Sequence, residues 1–475
     1  MKKIILLLTV CYLKLVYCDE RRDLNNLFSL PDFNHSLNVA TGEWIESSTD
    51  YETAGPHPLV LKRLFCPSIS HSDNLTPEWK FSLPHFSFGG IPILKWQGYH
   101  FAYNEKRELV KATNRYGQSV KIDRPDPCKI ELILSDNRKI HYQFEKIGNH
   151  PFLTRVKRPG MKDLIYSYRK NGKKVLLQKR DETEGRFLAW EHDGEGRIIK
   201  TLAPAGTTNE PYSLNTISYL ANKTIVENPY GYKKIYTYND DRQITKIEHF
   251  LEHLEKSEEF GWRLDQMLYH KIYGPNGELL AARRLDYDEM GRLVKETWEG
   301  NIRGQGKETT FRTLSYDKDN HLILEQEEGK STSYRWDSDL LVYKKEGSIE
   351  TFYAYNEEGL PTEERIQEGG SVRVSQIGPY TSYGLPEKIA HFLNGVLIET
   401  KTFTYTKEGW VLSETVENES GITSKVYERD LAGRVLSSVN EKGDIETFEY
   451  DLHGNIIKYS NLDETKVMQY DYMNR

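Results

Sequence analysis

Residues Val426-Tyr-Glu-Arg429-Asp430-Leu-Ala-Gly433-Arg-Val-Leu436 and Thr447-Phe-Glu-Tyr450-Asp451-Leu-His-Gly454-Asn-Ile-Ile457 repeat one pattern. Alternating residues run into Arg429-Asp430 or Tyr450-Asp451. Two unconstrained positions, a glycine, a polar residue and branched aliphatics follow. The aspartate can accept hydrogen bonds from its own turn, and the glycine suits the positive φ that a tight hairpin requires. Each copy reads as a hairpin corner.

The corner returns at Tyr405 to Gly409, Tyr355 to Gly359, Tyr316-Asp317 to Asn320, Tyr287-Asp288 to Gly291 and Tyr168 to Gly172. Tyr470-Asp471, with Asn474 in the glycine place, continues it to the end of the sequence. Weaker copies run from Tyr380 to Gly384, Trp336 to Leu340, Tyr238 to Arg242 and Phe144 to Gly148. From Gly359 through Gly384, Gly409, Gly433 and Gly454 to Asn474 the steps are 25, 25, 24, 21 and 20 residues. A period in the low twenties marks an array of supersecondary units. An aromatic two residues before the corner aromatic (Tyr166, Tyr236, Tyr353, Phe403, Phe448) shares its strand face. Stacking of these rings from repeat to repeat would add about 0.5 kcal/mol per pair. These features predict an all-β chain.

The chain has 475 residues, of which 31 are tyrosine, a content that suits many short half-exposed strands. Sixty-four basic against seventy-one acidic side chains leave no basic stripe, which argues against nucleic acid as a partner. Met1 to Cys18 has Lys2-Lys3, an apolar run and a charged exit at Asp19, the pattern of a secretory signal peptide cleaved after Cys18. Lipidation of Cys18 is the alternative. No later segment has the eighteen apolar residues of a membrane helix. The mature chain would keep Cys66 and Cys128, as a disulfide or as two thiols.

Residues 19–36 read as a linker. A module over 37–98 follows: a glycine turn at Asn38-Val-Ala-Thr-Gly42, an acidic strand, a Gly55-Pro56 break, a strand from Leu59 to Phe65, and strands from Trp79 to Leu83 and Ile91 to Trp96. Residues 99–475 form the array. This block and the Tyr-Asp-x-x-Gly-Arg-Leu corners together resemble bacterial Rhs, or YD-repeat, proteins. The resemblance implies a spiralling antiparallel sheet that curls into a hollow shell around a cargo domain. Its full-length members carry an Asp-Pro-containing self-cleavage sequence and a toxin domain at the end of the shell. Asp126-Pro127 lies too early to be that sequence, and residue 475 falls inside a corner, so an incomplete shell with an open edge is expected.

Between Ile247 and Glu259 the spacing of Ile247, Phe250, Leu251 and Leu254 predicts a short inserted helix. Within it, His249, Glu252 and His253 match the His-x-x-Glu-His arrangement of inverted zinc peptidases, two histidines on one helical face with a glutamate as base. Both histidines fall opposite the apolar face and no third ligand stands out, so no metal is expected. No phosphate loop or Gly-x-Ser-x-Gly elbow is present. The sequence thus points to a secreted, non-catalytic structural protein without cofactor. Its expected partners are a cargo or toxin domain, or a chain that completes the shell. An adhesion module of the teneurin kind that binds cell-surface glycans is the alternative, and a zinc peptidase a further one.

Overall fold

The computed structural model describes residues 37–475 except 57, 66–78, 82–98, 149, 173, 183–184, 206–210, 301–307, 452–453 and 471–475. The segments read as signal peptide and linker, the strand expected at Ile91, and Cys66 therefore lie outside the described residues, while Cys128 is a free thiol. All regular structure among the described residues is β. Leu37–Asn38 pairs with Glu43–Trp44, and Glu46–Glu52, Val60–Phe65 and Trp79–Phe81 form a three-stranded sheet. Then 33 strands, from His100–Tyr103 to Thr465–Val467, make one antiparallel sheet in which each strand pairs with the one before it. The sheet is not closed, and no backbone register joins its first strand to its last among the described residues.

The inserted helix does not form. Ile244–Phe250 and Leu254–Arg263 are paired strands joined by a three-residue turn at Leu251, Glu252 and His253. Phe250 lies opposite Leu254 in that ladder. Residues directly paired across a three-residue turn are also four apart, so the hairpin reproduces the spacing of a helical face.

The bend at each Tyr-Asp corner comes from a β-bulge. Tyr287 pairs with Leu293 but Asp286 with Lys295, which leaves Val294 as the extra residue. The same shift follows Tyr316, Tyr355, Tyr405 and Tyr450. Bulges increase local twist and curvature, and repeated at one end of successive hairpins they coil the sheet.

The coil returns onto itself. Hairpin ends alternate between two rims, one carrying Tyr-Asp corners such as Asp193, Asp288 and Asp430, the other carrying ends such as Asn114–Gln118, Leu134–Arg138 and Gly160. The Tyr-Asp rim of the later strands sits on the opposite rim of the early ones. Arg138 stacks on Trp410 at 5.0 Å and donates to the Leu431 carbonyl. Arg434 donates to the Gly160 carbonyl at 3.1 Å, and Arg186 meets Asp451 at 3.6 Å. From Ser119–Asp126 to Ser371–Ile377, the strands between the matched ends at Tyr116 and Gly384, there are twenty-three strands. The ends joined by Arg138 and Trp410, Gly160 and Arg434, and Arg186 and Asp451 give the same number, while the Arg138 bond to Leu431 reaches one corner further along. The 33 strands thus make about one and two-fifths turns of a spiral. At ~4.8 Å per strand one turn is about 110 Å around and about 35 Å across.

The amino-terminal module lies on the concave face. Thr53 Oγ1 donates to Gln118 at 2.7 Å, Phe81 packs on Tyr142, Trp79 on Tyr166 and Trp44 on Trp190, and Thr224 Oγ1 donates to the Val39 carbonyl at 2.6 Å. These contacts cross ten strands, about 50 Å of arc. A body of some 45 residues reaches that far only from inside the curve. The core unites Leu59, Phe65 and Trp79 with Ile130, Tyr142, Tyr166, Trp190, Ile217 and Tyr236 of the coiled sheet. At its centre Arg63, with no exposed side-chain surface, holds Asp50 through Nε at 2.5 Å and Tyr166 through Nη1 at 3.0 Å, and Tyr142 donates to Asp50 at 2.7 Å.

Candidate functional site: the corner array

Each complete corner is a closed set of hydrogen bonds. At Asp430 the backbone N–H donates to the Arg434 carbonyl at 2.9 Å and the Gly433 N–H to the Asp430 carbonyl at 3.0 Å. Its Oδ1 accepts from Ala432 N at 2.8 Å and Arg434 N at 2.9 Å, and Oδ2 accepts from Arg434 Nε at 2.6 Å. Asp193 with Arg197 and Asp288 with Arg292 do the same. Burial pushes the Asp193 carboxyl up, but the Arg197 backbone and guanidinium bonds outweigh it and hold the group below its ordinary range. Gly291 has φ +80°. Gly433 has φ +87° and lies under the Trp410 ring, where a Cβ would come within 2.4 Å of Cζ2.

Arginine and tyrosine join one corner to the next. Arg292 lies 4.9 Å over the ring of Tyr316 and donates to the Asp317 carbonyl at 3.1 Å. Tyr316 donates back to the Leu293 carbonyl at 2.9 Å. Arg434, Tyr450 and Val435 repeat the arrangement at 4.7 and 2.9 Å. Tyr287, Tyr355 and Tyr405 donate to Met267, Leu341 and Pro386, and burial pushes the Tyr355 and Tyr405 phenols up to about 12. Two substitutions keep the link. Arg429, in the tyrosine place, donates from Nε to the Val411 carbonyl at 2.9 Å. His321, in the arginine place, bonds Asp317 at 3.1 Å and stacks on Trp336 at 5.0 Å. The rungs between corner residues are thus hydrogen bonds and cation–π contacts rather than stacked phenols.

Tyr287, Asp288, Gly291, Tyr316, Asp317, Tyr355, Gly359, Tyr405, Gly409, Gly433, Tyr450, Asp451 and Gly454 stand in such corners. Tyr168 and Gly172 do not. Tyr168 lies inside Leu164–Asn171 opposite Leu177, and Gly172 opens a two-residue turn between Asn171 and Lys174. Phe144 and Trp336 likewise precede plain two-residue turns. Tyr470 is described, but Asp471 and the rest of that corner lie outside the described residues. Sequence reasoning missed the corners at Asn114, Asn228 and Asn440. The signal was there: asparagine offers the same Oδ1 acceptor, and glycine follows three residues later in each.

The zinc arrangement is not brought together. His249 sits in a strand with Nδ1 bonded to the Tyr232 hydroxyl at 2.6 Å and Nε2 to Glu258 at 2.9 Å. Glu252 and His253 are in the exposed turn, His253 facing Glu255. Without the helix the spacing no longer gives one face. His249, His270 and Lys256 all bond Glu258 and hold its carboxyl well below the usual range. Among the described residues no group of three or more His, Cys, Asp or Glu side chains is placed to hold a metal ion, and no helix is long and apolar enough to cross a membrane.

A bulged antiparallel spiral with linked Tyr-Asp-x-x-Gly corners and an overlapping second turn defines a YD-repeat shell fold. Residues 361–475, about a quarter of the chain, match the family Teneurin YD-shell. No curated protein matches the sequence. Among solved structures, the chain is similar to a crystal structure of TcdB2-TccC3-Cdc42, with TM-score 0.53 and 10% identity over 90% of this chain and 26% of that one. A Tc holotoxin pore from Photorhabdus luminescens gives 0.51 and 10% over 78% and 22%, and TcdB2-TccC3 gives 0.51 and 11% over 77% and 22%. The chain thus spans about a quarter of the length of these chains, and the likeness is one of fold. The kinship with YD-repeat proteins expected from the corners stands on both findings.

Proposed function

We propose that this is an exported, non-catalytic shell protein of a toxin-associated system, whose coiled sheet encloses a polypeptide cargo. The observation that carries the reading is the concave face. Over the first ten strands it is filled by the amino-terminal module, and after residue 300 Leu360 is the sole buried large apolar side chain among the described residues. There the same face presents Tyr353, Phe403, Tyr427 and Phe448 beside Glu364 and Glu414, all half-covered, and exposed Lys425. A face of mixed rings and charges inside a ring about 35 Å across suits a loosely held chain better than a packed core. Met1 to Cys18 would direct the export and be removed by cleavage after Cys18. The unit boundaries that go with this reading are a linker over 19–36, the module over 37–98 and the array over 99–475.

The test is to fuse a protease-sensitive unfolded polypeptide after Arg475 and treat the purified protein with protease. Enclosure predicts that the fused segment outlasts the same polypeptide free in solution by tenfold or more. Cleavage at the free rate would contradict it.

A further inference from the structure

Two tips on the opposite rim are built alike. In Asn114-Arg-Tyr116-Gly117-Gln118 the Asn114 Oδ1 accepts from Tyr116 N at 3.1 Å and Gln118 N at 2.9 Å, and Gly117 has φ +81°. In Asn228-Pro-Tyr230-Gly231-Tyr232 the Asn228 Oδ1 accepts from Tyr230 N and Tyr232 N, both at 3.0 Å, and Gly231 has φ +82°. Both sequences put an aromatic ring at the apex of the same corner, but the rings differ in surroundings. Tyr116 lies in the seam against Gly384, the glycine of a Tyr-Asp-rim corner, where a Cβ would come within 2.8 Å of its Cζ. Tyr230 is 78% exposed.

We propose that the Asn228–Tyr232 tip is a docking site for the Tyr-Asp rim of further YD repeats, with the Tyr230 ring seated on the glycine of the incoming corner. The kind of partner rests on the shell reading above, and the geometry rests on the seam. Along that seam the ends matched by Tyr116 with Gly384, Arg138 with Trp410, Gly160 with Arg434 and Arg186 with Asp451 are each separated by twenty-three strands. Twenty-three strands counted from Lys233–Tyr238 pass Thr465–Val467 by two, so the corner due over Tyr230 falls beyond the last described strand. The occupant must carry glycine in the fourth place of its corner, because a side chain there would strike the ring as it would at Gly384.

The count also designs the test. Extending the full chain after Arg475 with a second copy of residues 411–460 adds two strands and then a Tyr-Asp corner, which places the copied Gly433 on Tyr230. Hydroxyl-radical footprinting reads both rings. The expected result is Tyr116 protected in both proteins and Tyr230 reactive in the original chain, falling severalfold toward the Tyr116 level in the extended one. Tyr230 equally reactive in both, with Tyr116 protected, would overturn the proposal. Tyr116 freely reactive in the original chain would sink the seam, and the shell reading with it. In the original protein Tyr116→Ala should lower the melting temperature and Tyr230→Ala should not, and an equal loss would show that Tyr230 serves the chain itself. Protection of Tyr230 that grows with concentration of the original chain would assign the tip to a second copy instead.

Discussion

In Asp430 both carboxylate oxygens are committed, one to two backbone N–H groups and the other to Arg434. Alanine removes all three bonds, whereas asparagine keeps the Oδ1 acceptor, as Asn228 and Asn356 do in their own corners. Asp430→Ala should therefore cost about 1–2 kcal/mol in urea unfolding and Asp430→Asn less than half of that. His192, beside the Asp193 corner, gives the pH dependence. Burial lowers its pKa from the ordinary 6.5 to about 4, with Asp193 opposing and Arg169 adding to the shift. The folded protein then binds fewer protons than the unfolded one between those values, so stability falls as pH drops from 6.5 to about 4. The partly exposed ring makes this roughly 1–2 kcal/mol. His192→Gln should flatten the melting temperature over that window, and an unchanged slope would show that the imidazole is not the source.

The paired strands at Ile244–Phe250 and Leu254–Arg263 show what was legible in the sequence and what was not. Repeat period, corner chemistry and the aromatic face were readable because each lies within one hairpin. The inserted helix was misread because Phe250 and Leu254, four apart, satisfy a helix face and a three-residue turn equally, and only the ladders on both sides decide between them. Tyr168 and Gly172 failed for a related reason: a tyrosine four residues before a glycine fits a corner or a longer strand running to a two-residue turn. The links between corners were invisible, since the acceptor for each tyrosine is a backbone carbonyl of the preceding hairpin. At the element scale the module is keyed to the sheet by a polar centre that sequence patterning could not show. Arg63 lies 103 residues from its coiled-sheet partner Tyr166, and Asp50 lies 92 residues from Tyr142. Removing one member of a fully buried pair leaves the other charge stranded, so Arg63→Met should destabilise by about 3 kcal/mol or more and Arg63→Met with Asp50→Asn by less. Equal losses in thermal unfolding would mean that the pair is not mutually dependent.

For the whole molecule, an odd number of strands per turn follows from the seam, because a Tyr-Asp rim can rest on the opposite rim only after an odd count. Twenty-three satisfies this and fixes the width of the ring, and the contacts of Arg138, Gly160 and Arg186 with the later corners hold the count. The central claim is that the sheet overlaps itself. Arg115 and Ser382 are exposed, lie 267 positions apart in sequence and line the same cleft where the second turn begins to cover the first. Nitroxide labels on cysteines at these two positions, read by pulsed electron resonance, test the overlap directly. The spiral predicts a single short distance between them. An uncoiled sheet would separate them by twenty-three strands, about 110 Å, and the absence of any short distance would contradict the account.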